Sequence, residues 1–281
     1  HDLVNAYLTD ANGLPLTTPP SDPADYVVNV DPADIVGGLP RNSPAESGDG
    51  NSNTTSSIFP EETRNLDPRL DWTVARPGIP LFDRGDFKLA YARDASNGGT
   101  YYSKKLLWSL ADDGLARVAG GWGQNILTIQ TNLIRYSEIL LWRAEIAASE
   151  TDLLTAATLV DRVRARNTDP ENWVKESDGV TNAANYAIGL YLDNGGFPDA
   201  TFAMNAVLHE YRIETAMEGR RFFDLVRRGG SVAKQVLDGY TSRPQFRGYL
   251  SGISFPTTRG IYPIPQEVVD LSGGTVQQNS Y

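Results

Sequence analysis

The sequence contains no cysteine and only two histidines. The absence of cysteine excludes disulfide bonds, thiol nucleophiles and cysteine-ligated zinc. His209 and Glu210 begin like the zinc motif His-Glu-x-x-His, but Ile213 stands where the second histidine would be. A catalytic triad would depend on His209 alone, and no Gly-x-Ser-x-Gly nucleophile elbow occurs. We therefore predict neither a zinc-protease nor a serine-hydrolase site, and no metal or cofactor.

Long apolar runs are also missing, so no segment is expected to span a bilayer. Basic charge is in deficit, because 25 Lys and Arg residues face 35 Asp and Glu residues. An acidic surface repels phosphate backbones, and nucleic acid is therefore not expected as a partner. The first residues have neither a basic start nor an apolar core, so the sequence resembles a mature, trimmed or partial chain.

The residues that are present divide the chain into five segments. Residues 10–65 are loop-rich, with many Pro, Gly, Ser, Asn and Asp residues, and residues 66–128 are predicted to be irregular with a few short strands. A helix pair is predicted in 131–167 and further helices in 201–237. Residues 244–281 are predicted to form an extended tail.

The helix pair is the clearest of these predictions. Apolar side chains recur at spacings of three and four in 131–149 and again in 152–166, which is typical of amphipathic helices. The short connection between them requires antiparallel packing, and alanines on both faces allow the backbones to approach closely. The predicted fold class is mainly α, with a tetratricopeptide-like helix pair, long irregular loops and little β structure.

A dense charged stretch runs from Glu210 to Asp224 and begins within the first helix predicted in 201–237. We predict that its members form a largely buried ion-pair network, for which arginine partners from elsewhere are needed, rather than a carboxylate active site. The five residues expected to be mutually paired are Glu214, Glu218, Arg220, Arg221 and Asp224. Two facing carboxylates of a glycosidase remain an alternative, because any two Asp or Glu residues at the right separation would serve.

Asp49, Asn51 and Asn53 have the spacing of the first ligands in a calcium-binding loop. Thr54 stands at the sixth position, where such loops have glycine, and Pro60 stands at the twelfth, where a bidentate glutamate is needed. A solvated loop is therefore the favoured interpretation of this segment.

Four segments in order resemble the SusD/RagB family. Residues 65–70 (NLDPRL) are similar to the family's DPRL turn, and residues 133–145 (LIRYSEILLWRAE) resemble its helix IRYAEVLLMYAEA. Residues 213–229 are similar to ERRRELAFEGHRFFDLVRWG. Residues 261–266 (IYPIPQ), together with 278–281 (QNSY), resemble PIPQ…QNPGY. The resemblance covers nearly the whole chain, but only the C-terminal half of a family member.

The resemblance implies a SusD-like helical fold in which 131–167 is the last of several tetratricopeptide pairs. It implies a binding protein without catalysis, exposed at the outer-membrane surface and lipid-anchored through an N-terminal segment absent from this chain. Such a protein captures oligosaccharides and hands them to a TonB-dependent, SusC-like transporter, and the N-terminal half of the same protein would be a further partner. Two alternatives remain open: a peptide-capturing, RagB-like protein, and a protein-interaction scaffold without a small-ligand site.

The resemblance transfers no binding residue by motif, so the candidates come from the chemistry of sugar recognition. The C–H faces of sugars stack on Trp and Tyr rings, while the hydroxyl groups need polar partners. Aromatic residues lie among Gly and polar residues in the irregular segment before the helix pair. Packing in the core is the alternative for each of them, and it is favoured for Trp142 and Trp173. The predicted ligand-binding residues are Tyr91, Tyr101, Tyr102, Trp108 and Trp122.

Overall fold

The computed structural model divides the protein into two compact units. One contains the described residues up to Glu218, and the other contains those from Gly219 onward. The residues that the structure describes are 2–16, 64–76, 78–87, 91, 101–118, 126–128, 132–241 and 252–280.

The short elements of the first unit precede its long helices. Helices α1 (Asp2–Asn5), α2 (Leu70–Thr73) and α3 (Asp113–Ala116) each have one turn. Strand β1 (Val74–Ala75) pairs antiparallel with β2 (Tyr102–Ser103), with Ala75 opposite Tyr102. Strand β3 (Arg117–Val118) pairs antiparallel with β4 (Ile126–Leu127). The mainly α fold with little β structure is thereby confirmed for the described residues.

Three long helices form the main core of the first unit: α4 (Tyr136–Ser149), α5 (Leu153–Arg164) and α6 (Ala200–Glu214). Alanines line their contact faces, so that Ala144 of α4, Ala156 of α5 and Ala203 of α6 are fully buried in one cluster. The predicted helix pair is present, with Asp152 capping α5 by accepting a hydrogen bond from the Thr155 amide.

Helix α4 begins later than the predicted 131. Arg135 has an extended backbone at the N-cap position. The Arg135 amide donates a hydrogen bond to the Glu138 carboxylate at 2.8 Å. This contact fixes the helix start, so the apolar residues before it do not continue the helical face.

A second core cluster in the first unit joins the chain start to residues 66–79 and to the end of α6. Its buried side chains include Tyr7, Leu66, Leu70 and Ile213. The Tyr7 hydroxyl donates a hydrogen bond to the Ile213 carbonyl at 2.8 Å, and the Asp67 amide donates to the Tyr7 carbonyl at 2.7 Å. Residues far apart in sequence therefore hold α2 and the turn before it against α6.

The second unit contains α7 (Arg221–Arg227), α8 (Gly230–Thr241), a 3-10 helix (Thr257–Gly260) and α9 (Gln266–Leu271). The predicted tail is thus not extended throughout its described part. Pro265 immediately precedes α9, and Glu267 lies in its first turn, where a negative charge suits the helix dipole. These local effects favour a helix that apolar periodicity did not indicate.

Several sequence predictions fall outside this description. The calcium-like residues 49–60 and Trp122 lie outside the described residues. Within the residues described, no group of three or more His, Asp or Glu side chains is arranged to hold a metal ion. None of the helices in these same ranges combines the length and the apolar character needed to cross a membrane.

Candidate functional site

A buried ion-pair network links α5, α6 and the turn before α2. Arg164 Nη1 lies 3.0 Å from Glu210 Oε2, and Arg69 bonds to both Glu210 and Asp67. Burial alone would raise the pKa of Asp67, but the Arg69 charge beside it lowers that pKa instead. Arginines from distant segments therefore pair with both carboxylates in the interior of the first unit.

The outer end of the network is centred on Glu214. Glu214 Oε1 accepts hydrogen bonds from Arg135 and Arg166, each at 2.8 Å. Burial would raise the pKa of Glu214, yet the nearby arginine charges, Arg69 first, lower it to about 2. The general acid of a glycosidase needs a pKa above its ordinary value, whereas the pKa of Glu214 is lowered.

The charged stretch is paired, and several of its partners lie in other segments. Glu218 bonds to Arg135 at 2.8 Å and to Lys105 at 2.6 Å, while Asp224 pairs with Arg221 and Arg227 of its own helix. The expectation that all five residues are largely buried is wrong for Glu218, Arg220 and Arg221, which are half-buried. These three lie near the surface because each sits at a helix end or in the turn between helices.

A hairpin-like turn carries the residues that contact the segment around Trp108. The Phe87 amide donates to the Ile79 carbonyl at 2.9 Å, and the Leu81 amide donates to the Gly85 carbonyl at 2.8 Å. Gly85 has a φ of +72°, which only glycine adopts easily. Residues 82–84 form the tip of this turn, which we call the hairpin tip.

Asp83 of the hairpin tip fastens it to the segment that contains Trp108. The Asp83 carboxylate accepts hydrogen bonds from the Leu110 amide at 2.6 Å and from the Ala111 amide at 2.8 Å. The amide hydrogen bonds lower the pKa of Asp83, so its carboxylate is ionised at neutral pH.

Trp108 is held from two sides. Its indole N–H donates to Asp113 Oδ1 at 2.8 Å, and the Arg84 guanidinium lies 5.8 Å from the ring centroid. Arg84 Nη2 also donates to the Trp108 carbonyl at 3.0 Å. The side chain is half-buried, so an ordered indole retains part of its surface for contact with solvent.

The other predicted binding residues have different surroundings. Tyr102 is 56% exposed on β2, and Tyr91 is 48% exposed with its ring edge-on to Phe87 at 5.6 Å. Tyr101 is half-buried and packs against the second core cluster. Arg84, Asp83 and Asp113, which position Trp108, were not singled out from the sequence, because no motif marks a hairpin that contacts a later loop.

The two tryptophans expected to pack behave differently. Trp173 packs edge-on against Tyr186 at 5.8 Å, and its indole N–H donates to the Asn167 carbonyl at 2.7 Å. Trp142 is 37% exposed on the outer face of α4. Packing is confirmed for Trp173 and is incomplete for Trp142.

A groove of about 490 Å³ lies beside the start of α4. Tyr136, Arg162 and Arg166 line it, with the Arg162 guanidinium 5.4 Å from the centroid of the Tyr136 ring. Its volume lies in the range usual for small-molecule sites.

Comparison with known families identifies the chain. The profile of the SusD family matches residues 1–281. The chain belongs to the SusD family. Members of the SusD family are in general outer-membrane proteins that bind nutrients, work with SusC-like transporters and are not enzymes. No curated protein matches the sequence.

Proposed function

We propose that this SusD-family protein captures oligosaccharides at the cell surface and passes them, chemically unchanged, to a TonB-dependent, SusC-like transporter. A lipid anchor at the outer membrane is part of this proposal and comes from the family resemblance. The observation that carries the oligosaccharide assignment is the geometry of Trp108, which offers an ordered and partly open aromatic ring.

The ordering of Trp108 matters because binding is stronger when the contact surface is fixed beforehand. Asp113 and Arg84 restrain the indole, so little side-chain entropy remains to be lost when a ligand stacks on it. Judged by the value for pairs of aromatic rings, stacking of a sugar ring on the indole contributes on the order of 1 kcal/mol beyond area burial. Tyr102, exposed on β2, has a hydroxyl that can donate to or accept from a sugar hydroxyl.

Binding without catalysis is supported by the state of the charged stretch. Its buried carboxylates are paired with arginines, and the pKa of Glu214 is about 2. A glycosidase acid must be protonated at working pH, which these charges oppose.

The test is a screen of the purified chain against immobilised oligosaccharides and peptides, followed by calorimetric titration of each hit. We expect binding to at least one oligosaccharide class, with the ligand recovered at its original length after prolonged incubation. Recovery of shortened products would contradict the absence of catalysis, and failure to bind any oligosaccharide would contradict the ligand class.

Peptide capture is the second candidate function, and the groove beside α4 favours it. The guanidinium groups of Arg162 and Arg166 suit a carboxylate, and Tyr136 adds an apolar surface. Peptide hits whose affinity falls on Arg162→Ala, with no oligosaccharide hit, would favour this function. A scaffold without a small-ligand site predicts no hit of either kind.

A further inference from the structure

Trp72 is an exposed tryptophan held in a fixed orientation. It lies in α2, where its neighbours Leu70, Asp71 and Thr73 are buried, yet its own side chain is 43% exposed. Its indole N–H donates to the Asn172 carbonyl at 2.9 Å. The hydrogen bond fixes the ring while much of its apolar surface remains open to water, an arrangement that suits a ring-shaped ligand.

Phe82 of the hairpin tip extends this surface. The Phe82 and Trp72 ring centroids are 6.2 Å apart, with the ring planes at 44°. Phe82 has a φ of +54°, a left-handed conformation that is unusual for a bulky residue. The hydrogen bonds that close the turn around it hold this conformation and keep the ring beside Trp72.

Lys104 supports both rings from the inside of the protein. Its Nζ lies 5.3 Å from the Trp72 centroid and 4.8 Å from the Phe82 centroid. The side chain is buried and donates to the Asp71 and Pro80 carbonyls at 2.8 and 2.9 Å. Because Lys104 occupies the buried side of the two rings, the exposed part of Trp72 is the side turned away from it.

The hairpin tip connects this surface to Trp108. Phe82 packs beside Trp72, while Arg84, two residues later, lies over Trp108. Two residues of extended chain span about 7 Å at most, so the two tip residues are close neighbours. The same short turn therefore carries a contact to each of the two indoles.

We propose that Trp72 and Phe82 form a second sugar-stacking subsite, so that the ligand is an oligosaccharide lying across the hairpin tip from Trp108 to Trp72. The inference rests on the proposed function and narrows its ligand class from oligosaccharides in general to those long enough to reach both subsites. Two stacking surfaces joined by one rigid turn gain affinity together only when a single ligand is long enough to reach both.

The test is calorimetric titration of the full chain with a homologous series from disaccharide to octasaccharide, drawn from α-glucan, β-glucan, xylan and mannan. In the best-bound series, wild-type affinity should rise with length. Trp72→Ala should leave disaccharide binding at Trp108 unchanged and remove about tenfold from the affinity for the longest chain. The matched control is Trp142→Ala, which removes a similarly exposed tryptophan from α4.

Hydroxyl-radical footprinting of the wild-type chain tests the same point without a variant. The longest oligosaccharide should protect Trp72 and Trp108 from oxidation, and Trp142 should react as before. The second subsite is overturned if the affinity of Trp72→Ala rises with oligosaccharide length as it does in the wild type. It is also overturned if the bound oligosaccharide leaves Trp72 unprotected. Either result leaves the proposed function standing. Absence of any oligosaccharide binding by the wild type overturns both.

Discussion

Arg164 and Glu210 face each other in the interior of the first unit, with Arg164 Nη1 3.0 Å from Glu210 Oε2 and neither side chain exposed. The remaining guanidinium nitrogens of Arg164 donate to the Gly189 and Gly13 carbonyls, each at 2.7 Å. The Arg164 side chain of α5 thus contacts α6, the start of the chain and the segment that connects α5 to α6. A charge with so many partners is costly to remove, because each partner is left buried without its donor.

The first prediction concerns Arg164→Met. The substitution keeps an apolar chain of similar length but leaves Glu210 with one arginine fewer and two carbonyls without a donor. We expect a loss of about 3–5 kcal/mol in the free energy of unfolding, the usual range for breaking a buried ion pair. Urea denaturation followed by circular dichroism measures it. Arg143→Ala, an exposed arginine on α4, is the control and should change stability by less than about 1 kcal/mol. An equal effect of both variants would contradict the structural role of the network.

The second prediction is a pH dependence of stability that originates at Glu214. Its pKa is about 2 in the folded protein against a reference value of 4.5, so the folded state favours the ionised form. The stabilisation is complete above pH 4.5 and is lost as pH falls towards 2, and at 1.36 kcal/mol per pKa unit it amounts to roughly 3 kcal/mol. Glu214→Gln should therefore be less stable than the wild type at pH 7, and the difference should shrink with acidification.

Denaturant midpoints between pH 7 and pH 3 provide the measurement for Glu214→Gln. The control is Glu150→Gln, at an exposed carboxylate just beyond α4, and it should remain close to the wild type across the range. A constant difference between Glu214→Gln and the wild type at every pH would show that lost packing, not ionisation, causes the effect.

The sequence predicted the helix pair because its information is local. Spacings of three and four and a short connection all lie within about thirty residues, so no distant partner had to be known. The charged stretch was recognised as an ion-pair network for the same reason. Its true partners, Arg69, Arg135 and Arg164, lie in other segments, and single-sequence spacing does not show which segments meet.

Of the two indoles proposed to bind sugar, Trp108 and Trp72, only Trp108 was predicted from the sequence. The irregular segment pointed to Trp108, but Trp72 was missed because it closely follows residues 65–70, which resemble a structural turn. Whether an aromatic side chain is exposed depends on the strand and hairpin that cover it, and two-residue strands leave no periodic pattern. The partners of Trp108, Arg84 and Asp113, become apparent only once the hairpin is folded against the later loop.

The third prediction concerns the outer face of α4. Ile139, Trp142 and Ile146 follow each other at spacings of three and four and are all exposed, although the opposite face of the helix is buried. Contiguous apolar surface of this kind promotes association and dye binding. We expect the chain to bind 1-anilinonaphthalene-8-sulfonate strongly and to self-associate in sedimentation experiments.

The double variant Trp142→Lys/Ile146→Lys should lower both the dye fluorescence and the self-association of the chain, with little loss of stability. Leu154→Lys changes an exposed leucine on α5 and serves as the control. If the control reduces dye binding as much as the double variant, the face of α4 is not the surface responsible.

The last prediction separates the ring of Trp108 from the contacts that hold it. Trp108→Ala removes the stacking surface, so the affinity for a bound oligosaccharide should fall about tenfold or more, corresponding to roughly 1.4 kcal/mol. Asp113→Ala keeps the ring but removes the acceptor of its indole N–H, which lies at 2.8 Å, and the loosened ring should lose affinity by a smaller factor. Tyr262→Ala, at an exposed aromatic of the second unit, should bind as the wild type does. Calorimetric titrations with the best ligand from the screen, alongside melting curves, give the ranking of the three variants. Wild-type affinity in Trp108→Ala would place the binding surface elsewhere, whereas equal losses in Trp108→Ala and Asp113→Ala would mean that the indole acts only in its fixed orientation.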